Sequence, residues 1–143
     1  MNVNNTDIFK AYFDAFEETY EDDHWGRLAD FFSEDMVYNN VEGDTLTNRQ
    51  TAINYLRESV NALDRRFDAR AFDGKPFIGG EGDLVTLEFT IRYQIDGAPD
   101  LVITGLQVAT FRNAKIQQMD DVFDAASLEQ FENWMARHSE LLA

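Results

Sequence analysis

The sequence predicts an α+β fold: a curved, mostly antiparallel sheet wrapped as a cone around three N-terminal helices, with a C-terminal helix after it. Three observations carry this. Up to Leu63 the apolar residues recur at helical spacing, from Phe67 to Phe123 they recur every second residue, and after Ser127 the helical period returns. Helices segregated from strands in this way pack on one face of an antiparallel sheet. The chain has 143 residues, the size of one domain with a sizeable core, and its 12 Phe argue for a phenylalanine-rich interior.

In chain order, Phe9, Phe13, Phe16 and Tyr20 make one face of a helix over Asp7–Tyr20, widened by Ile8 and Tyr12. The acidic run Glu21-Asp22-Asp23 then precedes a second helix, His24 to Phe32, whose dipole it would complement. A strand is expected over Met36–Val41. Thr47 with Gln50 reads as a capping box opening a third helix, which buries Ile53, Leu56, Val60 and Leu63. Asp64-Arg65-Arg66 closes it with a polar cluster suited to salt bridges.

The strands follow. Phe67–Ile78 reads as one strand, with Gly74 and Pro76 marking an irregularity or an edge. After the turn Gly79–Asp83, the stretch Leu84–Ile95 alternates cleanly, Val85, Leu87, Phe89, Ile91 and Tyr93 on one face. Leu101–Phe111 is apolar on both faces, so it needs cover twice: from the helices and, most simply, from a second copy of the chain. A hairpin at Arg112–Ala114 leads into Lys115–Phe123. Ser127 with Gln130 reads as a capping box for the last helix, which turns Leu128, Phe131, Met135 and Trp134 inward.

Composition narrows the function. A formal net charge of −15 repels nucleic-acid phosphates and anionic membrane surfaces. No apolar run approaches the ~18 residues of a membrane span, and MNVNNTDIF lacks the basic and apolar regions of a signal peptide. A cytoplasmic protein is expected. With no cysteine there are no disulfides, thiolate nucleophiles or cysteine–zinc sites, and His24 and His138 stand far apart. No metal or cofactor is expected.

Polar residues that break apolar stripes mark the candidate site. Along the strand Met36–Val41, Tyr38 and Asn40 share a face. On the last strand Asp121 interrupts the Met119/Phe123 stripe, and Gln107 interrupts the run Ile103, Ala109, Phe111. A carboxyl buried without a cation has a raised pKa, which suits it to general acid or base work. Tyr38, Asn40, Gln107 and Asp121 would converge in one concave space, with Tyr12 added from the first helix. The alternative is structural: Asp121 pairs with an arginine or caps a helix, and Tyr38 and Asn40 satisfy backbone groups.

The layout and the phrases YFDAF, LADFFSEDMVYNN and AKIQQMDDVFD resemble the nuclear-transport-factor-2-like superfamily, within it the SnoaL-like cyclase, limonene epoxide hydrolase and ketosteroid isomerase branches. The resemblance spans almost the whole chain, and this scaffold hosts many reactions. Beside the epoxide hydrolases, Tyr38 and Asn40 match the pair that holds the attacking water, and Asp121 the last-strand carboxylate. Phe89 and Ile91 stand where those enzymes have an arginine and a second aspartate. Beside ketosteroid isomerase, Tyr12 matches the oxyanion-hole tyrosine, while Asn40 replaces the base and Gln107 the hydrogen-bonding aspartate. Beside the cyclases, Asp121 matches the acid/base aspartate. The resemblance implies cofactor-independent acid/base chemistry on a small apolar oxygenated molecule. Asp121, Tyr38 and Asn40 would be catalytic, and Tyr12, Leu87, Phe89, Ile91, Ile103, Gln107 and Phe123 would bind the ligand. The other reading is a non-catalytic ligand-binding or dimerisation module. A homodimer through the outward faces of the two long strands fits both.

Overall fold

The computed structural model describes residues 4–143, which form three α-helices, short 3-10 turns and one seven-stranded sheet. Helix α1 spans Asn5–Asp22. Asn4 caps it, its side chain accepting from the Asp7 N–H at 2.8 Å, and Asp23 stops it in the left-handed region at φ 64°. The acidic run therefore lies at the C-terminal end of α1, where it does not complement a dipole. Asp22 and Asp23 instead accept from Arg27, Trp25 and Arg65. The second helix is a 3-10 segment, Trp25–Phe31, with Trp25 and Leu28 buried.

Strand β1 is Phe32–Asn39, longer at its start and shorter at its end than its apolar pattern suggests. Strand β2, Thr45–Thr47, pairs antiparallel with it and lies inside the segment read as a loop and helix start. Thr47 is thus a strand residue. Helix α2, Arg49–Ala62, is capped by Asn48, whose side chain accepts from the Thr51 N–H at 2.9 Å. The capping box gave way because Asn48 holds φ 70°, a conformation asparagine tolerates far better than threonine.

The stretch read as one strand is two. Strand β3, Ala69–Phe72, pairs with the far half of β5 (Leu84–Gln94), and β4, Phe77–Glu81, pairs with the near half. Between them Gly74 takes φ 89° and Pro76 has no N–H to donate, so the ladder breaks. Gly79 and Gly80 belong to β4, and the turn is left to the residues after it. Strands β6, Leu101–Arg112, and β7, Lys115–Phe123, complete the antiparallel ladder. Asn113 and Ala114, at φ 53° and 63°, make their two-residue turn. In β7 the pairing steps from Phe111↔Ile116 to Thr110↔Gln118, so Gln117 bulges and both Ile116 and Met119 end up buried.

Helix α3, Ala125–His138, starts one turn earlier than its sequence signal. Asp124 is the cap, accepting from the Ser127 N–H at 2.6 Å. Ser127 is buried inside the first turn, where its Oγ accepts from the Thr104 N–H and fastens α3 to β6. The sheet order is β2-β1-β7-β6-β5-β3, antiparallel except for the parallel pair β1–β7. Helices α1 and α2 fill its concave face around Phe9, Tyr12, Leu28, Phe32 and Met36, and α3 closes the far end with Trp134 against Phe67. No helix among the described residues is long and apolar enough to cross a membrane.

Candidate functional site

The inward residues of β5, β6 and β7 alternate with outward ones, and the register lines them up in rungs. Leu87, Gln107 and Asp121 form one rung, and Phe89, Gly105 and Phe123 the next. Ile91 faces Ile103 in the third. With Tyr12 from α1 and Tyr38 from β1, these side chains surround one cavity of about 400 Å³. Helix α2 adds Tyr55 and Ser59, and α3 adds Leu128 and Phe131.

Asp121 is the polar centre of this cavity. Its Oδ2 accepts a short hydrogen bond from the Tyr38 hydroxyl, and its Oδ1 accepts from the Gln107 amide at 2.7 Å. Among the described residues no arginine reaches it. Burial pushes its pKa up, the bonds from Tyr38 and Gln107 pull it back, and the charge on Asp120 adds to the rise. Tyr38 and Tyr12 are both pushed above the usual tyrosine range, by burial first and by the charge on Asp121 next, so both remain hydroxyl donors. The Tyr12 hydroxyl donates to no other described residue and faces the cavity. Tyr55 packs edge-on against Tyr38 at 5.6 Å, and burial raises it to about 12.

Asn40 stands elsewhere. Strand β1 ends at Asn39, and Asn40 opens a turn in which its N–H donates to the Asp44 carbonyl and its side-chain oxygen accepts from the Asp44 N–H at 2.9 Å. Gly43 completes the turn at φ 90°. The expected Tyr38/Asn40 face is therefore broken by one residue, and Val41 and Glu42 reach the cavity wall in place of Asn40. Asn40 is buried as a turn former.

A second polar group lies at the other end of the wall and has no counterpart in the sequence-predicted site. Arg70 on β3 forms a two-pronged bond to Glu17 on α1, at 3.0 and 3.2 Å, and its Nε lies 3.2 Å from Asp64 Oδ2. The Tyr93 hydroxyl lies 3.4 Å from Asp64 Oδ1. Burial raises Asp64 to about 6, against the pull of Arg70 and Tyr93. Asp64-Arg65-Arg66 does form salt bridges, as its composition suggests, but Asp64 also faces the cavity. Its partner Arg70 sits in a strand of alternating small and large residues where nothing local marks it. Among the described residues, no three His, Asp or Glu side chains converge as metal ligands would.

The fold is widely shared. A candidate SnoaL-like polyketide cyclase from Shewanella putrefaciens superposes with a TM-score of 0.69 at 14% identity, over 96% of this chain and 88% of that one. An NTF2-like protein from Burkholderia xenovorans gives 0.66 at 13%, over 88% and 93%. An epoxide hydrolase of M. tuberculosis, like limonene epoxide hydrolase in type, gives 0.58 at 20%, over 88% and 90%. Among proteins of curated function none matches the sequence. The family model of the SnoaL-like domain matches residues 9–119, which hold most of α1 with Tyr12 and all of β1 with Tyr38 and run into β7. With the cone, its cavity and that match in place, the chain belongs to the SnoaL-like domain family, on the nuclear-transport-factor-2-like fold.

Proposed function

We propose that the cavity is a small-molecule site in which Asp121 moves a proton, without metal or cofactor, on a small apolar oxygenated substrate. The observation that carries this is a carboxyl with a raised pKa, bonded to a phenol and an amide but to no cation, on the floor of an apolar cavity. A basic carboxylate there takes a proton from carbon or from water and returns it later in the cycle. Tyr12 donates to the substrate oxygen on which charge develops, while Tyr38 and Gln107 hold the carboxyl in place. The apolar rungs of Phe89, Phe123, Ile91 and Ile103 bind the carbon skeleton. The reaction class is isomerisation, cyclisation or hydrolysis.

A second reading, a ligand-binding module without turnover, is favoured by one feature. Both oxygens of Asp121 already accept bonds within the chain. In either case we expect two copies to associate through the outward face of β5–β7, where Val122 is 49% exposed beside the half-buried Leu106 and Val108.

A thermal-shift screen of wild type and Asp121→Asn against small oxygenated apolar compounds, near pH 5 and near pH 8, tests the site. A compound class that stabilises wild type, with a response that changes in the variant, supports a pocket carboxylate. Turnover of that class by wild type and not by the variant then selects the enzyme over the module. A screen in which nothing binds and Asp121→Asn merely melts lower makes Asp121 a structural residue.

A further inference from the structure

The cavity has polar groups at both ends and an apolar middle. Leu87, Gln107 and Asp121 share one rung, and Tyr93 lies six residues farther along β5, a backbone separation of about 20 Å at strand rise. Between them stand the apolar rungs of Phe89 and Ile91. At the Tyr93 end Asp64 lines the wall, its side chain 13% exposed.

Asp64 is poorly satisfied for a carboxyl so deeply placed. The Tyr93 hydroxyl is 3.4 Å away, at the outer limit of a hydrogen bond, and Arg70 Nε stands 3.2 Å off without an aligned bond to it. The two terminal nitrogens of Arg70 are turned to Glu17 instead. Both contacts to Asp64 are long or poorly aligned for a buried carboxylate, and each Asp64 oxygen keeps a lone pair for a closer donor. A ligand hydroxyl would add a close, aligned donor, and its oxygen would accept from Tyr93.

Resting on the reading of the cavity as a small-molecule site, we propose that Asp64 is its second recognition point. It takes a hydroxyl at the far end of an elongated apolar ligand whose other oxygen meets the Asp121 group. Charge narrows the class further. Five carboxyl groups line the cavity, those of Glu17, Glu42, Asp64, Asp121 and Glu132, against the one guanidinium of Arg70. A ligand carrying a carboxylate or phosphate at that end is disfavoured, and a neutral alcohol or phenol fits.

Calorimetric titration with 4-hydroxy-para-terphenyl and its 4,4″-dihydroxy counterpart, the length the two polar ends require, tests this in wild type, Asp64→Asn, Tyr93→Phe and Asp121→Asn. The diol should bind wild type about tenfold tighter than the mono-ol, beyond the twofold that its symmetry supplies, a ratio of the size one charge-assisted bond gives. Asp64→Asn should reduce that ratio to about two, and Tyr93→Phe to an intermediate value. Should Asp64→Asn fail to fold, an unchanged ratio in Tyr93→Phe overturns the assignment. If the mono-ol binds and Asp121→Asn weakens it, yet the second hydroxyl adds no more than its symmetry factor, Asp64 is not a recognition point and the cavity reading stands. If neither phenol binds wild type, both fall together.

Discussion

Gly105 and Phe123 face one another across the β6–β7 ladder, so closely that a Cβ on Gly105 would lie 2.6 Å from the Phe123 ring and 2.8 Å from Phe89. The two rings meet edge to face, 6.2 Å apart, over the space the glycine leaves empty. Gly105→Ala should push both rings into the cavity. Overpacking of this kind costs about 1–3 kcal/mol, read as a lower urea midpoint, and the variant should bind cavity ligands more weakly than its lost stability alone explains.

Removing the Tyr38 hydroxyl leaves Asp121 Oδ2 without its donor. The Tyr38→Phe carboxyl should titrate higher than in wild type, because a bond to the charged form has gone while burial remains. Carbon-13 NMR of the aspartate carboxyls follows this directly. A wild-type titration in the variant would mean that Tyr38 contributes packing and no bond.

Asp64 makes stability depend on pH in a direction opposite to most carboxylates. Its folded pKa, about 6, lies above the model-compound 3.8, so the folded chain holds this proton more tightly than the unfolded one. Its contribution is full below pH ~4 and lost as pH rises through ~6, on the order of 3 kcal/mol. Glu17, Arg70 and Tyr93 face the same group from three other elements, so the comparison must be between variants at each pH. Urea unfolding of wild type and Asp64→Asn, at intervals from about pH 4 to about pH 7, should show wild type losing stability relative to the variant as pH rises.

The outward face of the sheet gives an assembly prediction. Sedimentation of wild type at micromolar concentration should show a dimer, and Val122→Lys, placed in the exposed row beside Leu106, should show a monomer with an unchanged circular dichroism spectrum. A wild-type monomer would remove the interface.

Much of the cone is visible in the sequence because half-buried antiparallel strands alternate. Leu84–Gln94 carries its pattern openly, and so do the inward positions of Tyr12, Leu87, Phe89 and Ile103. Period alone does not reveal where a strand stops. Asn40 was expected beside Tyr38 because the alternation runs on, but side-chain and backbone bonds to Asp44 turn the chain one residue earlier. Caps were misplaced in the same way: Asn48 and Asp124 compete with nearby threonine and serine, and the competition is decided by backbone angles. The Asp64–Arg70–Glu17 group was invisible for another reason. Its members come from three elements, and only the closed fold brings them together.

The parallel pairing of β1 with β7 imposes a timetable on synthesis. Tyr38 and Asp121 are 83 residues apart in sequence and meet only through that pairing. A chain emerging from the ribosome must hold β1 with one edge bare until its last strand arrives, and the bare edge invites pairing with a neighbouring nascent chain. Contacts so distant in sequence slow folding. The same event that seals the sheet also completes the Tyr38–Asp121 bond, and a chain stopped before Asp121 has neither.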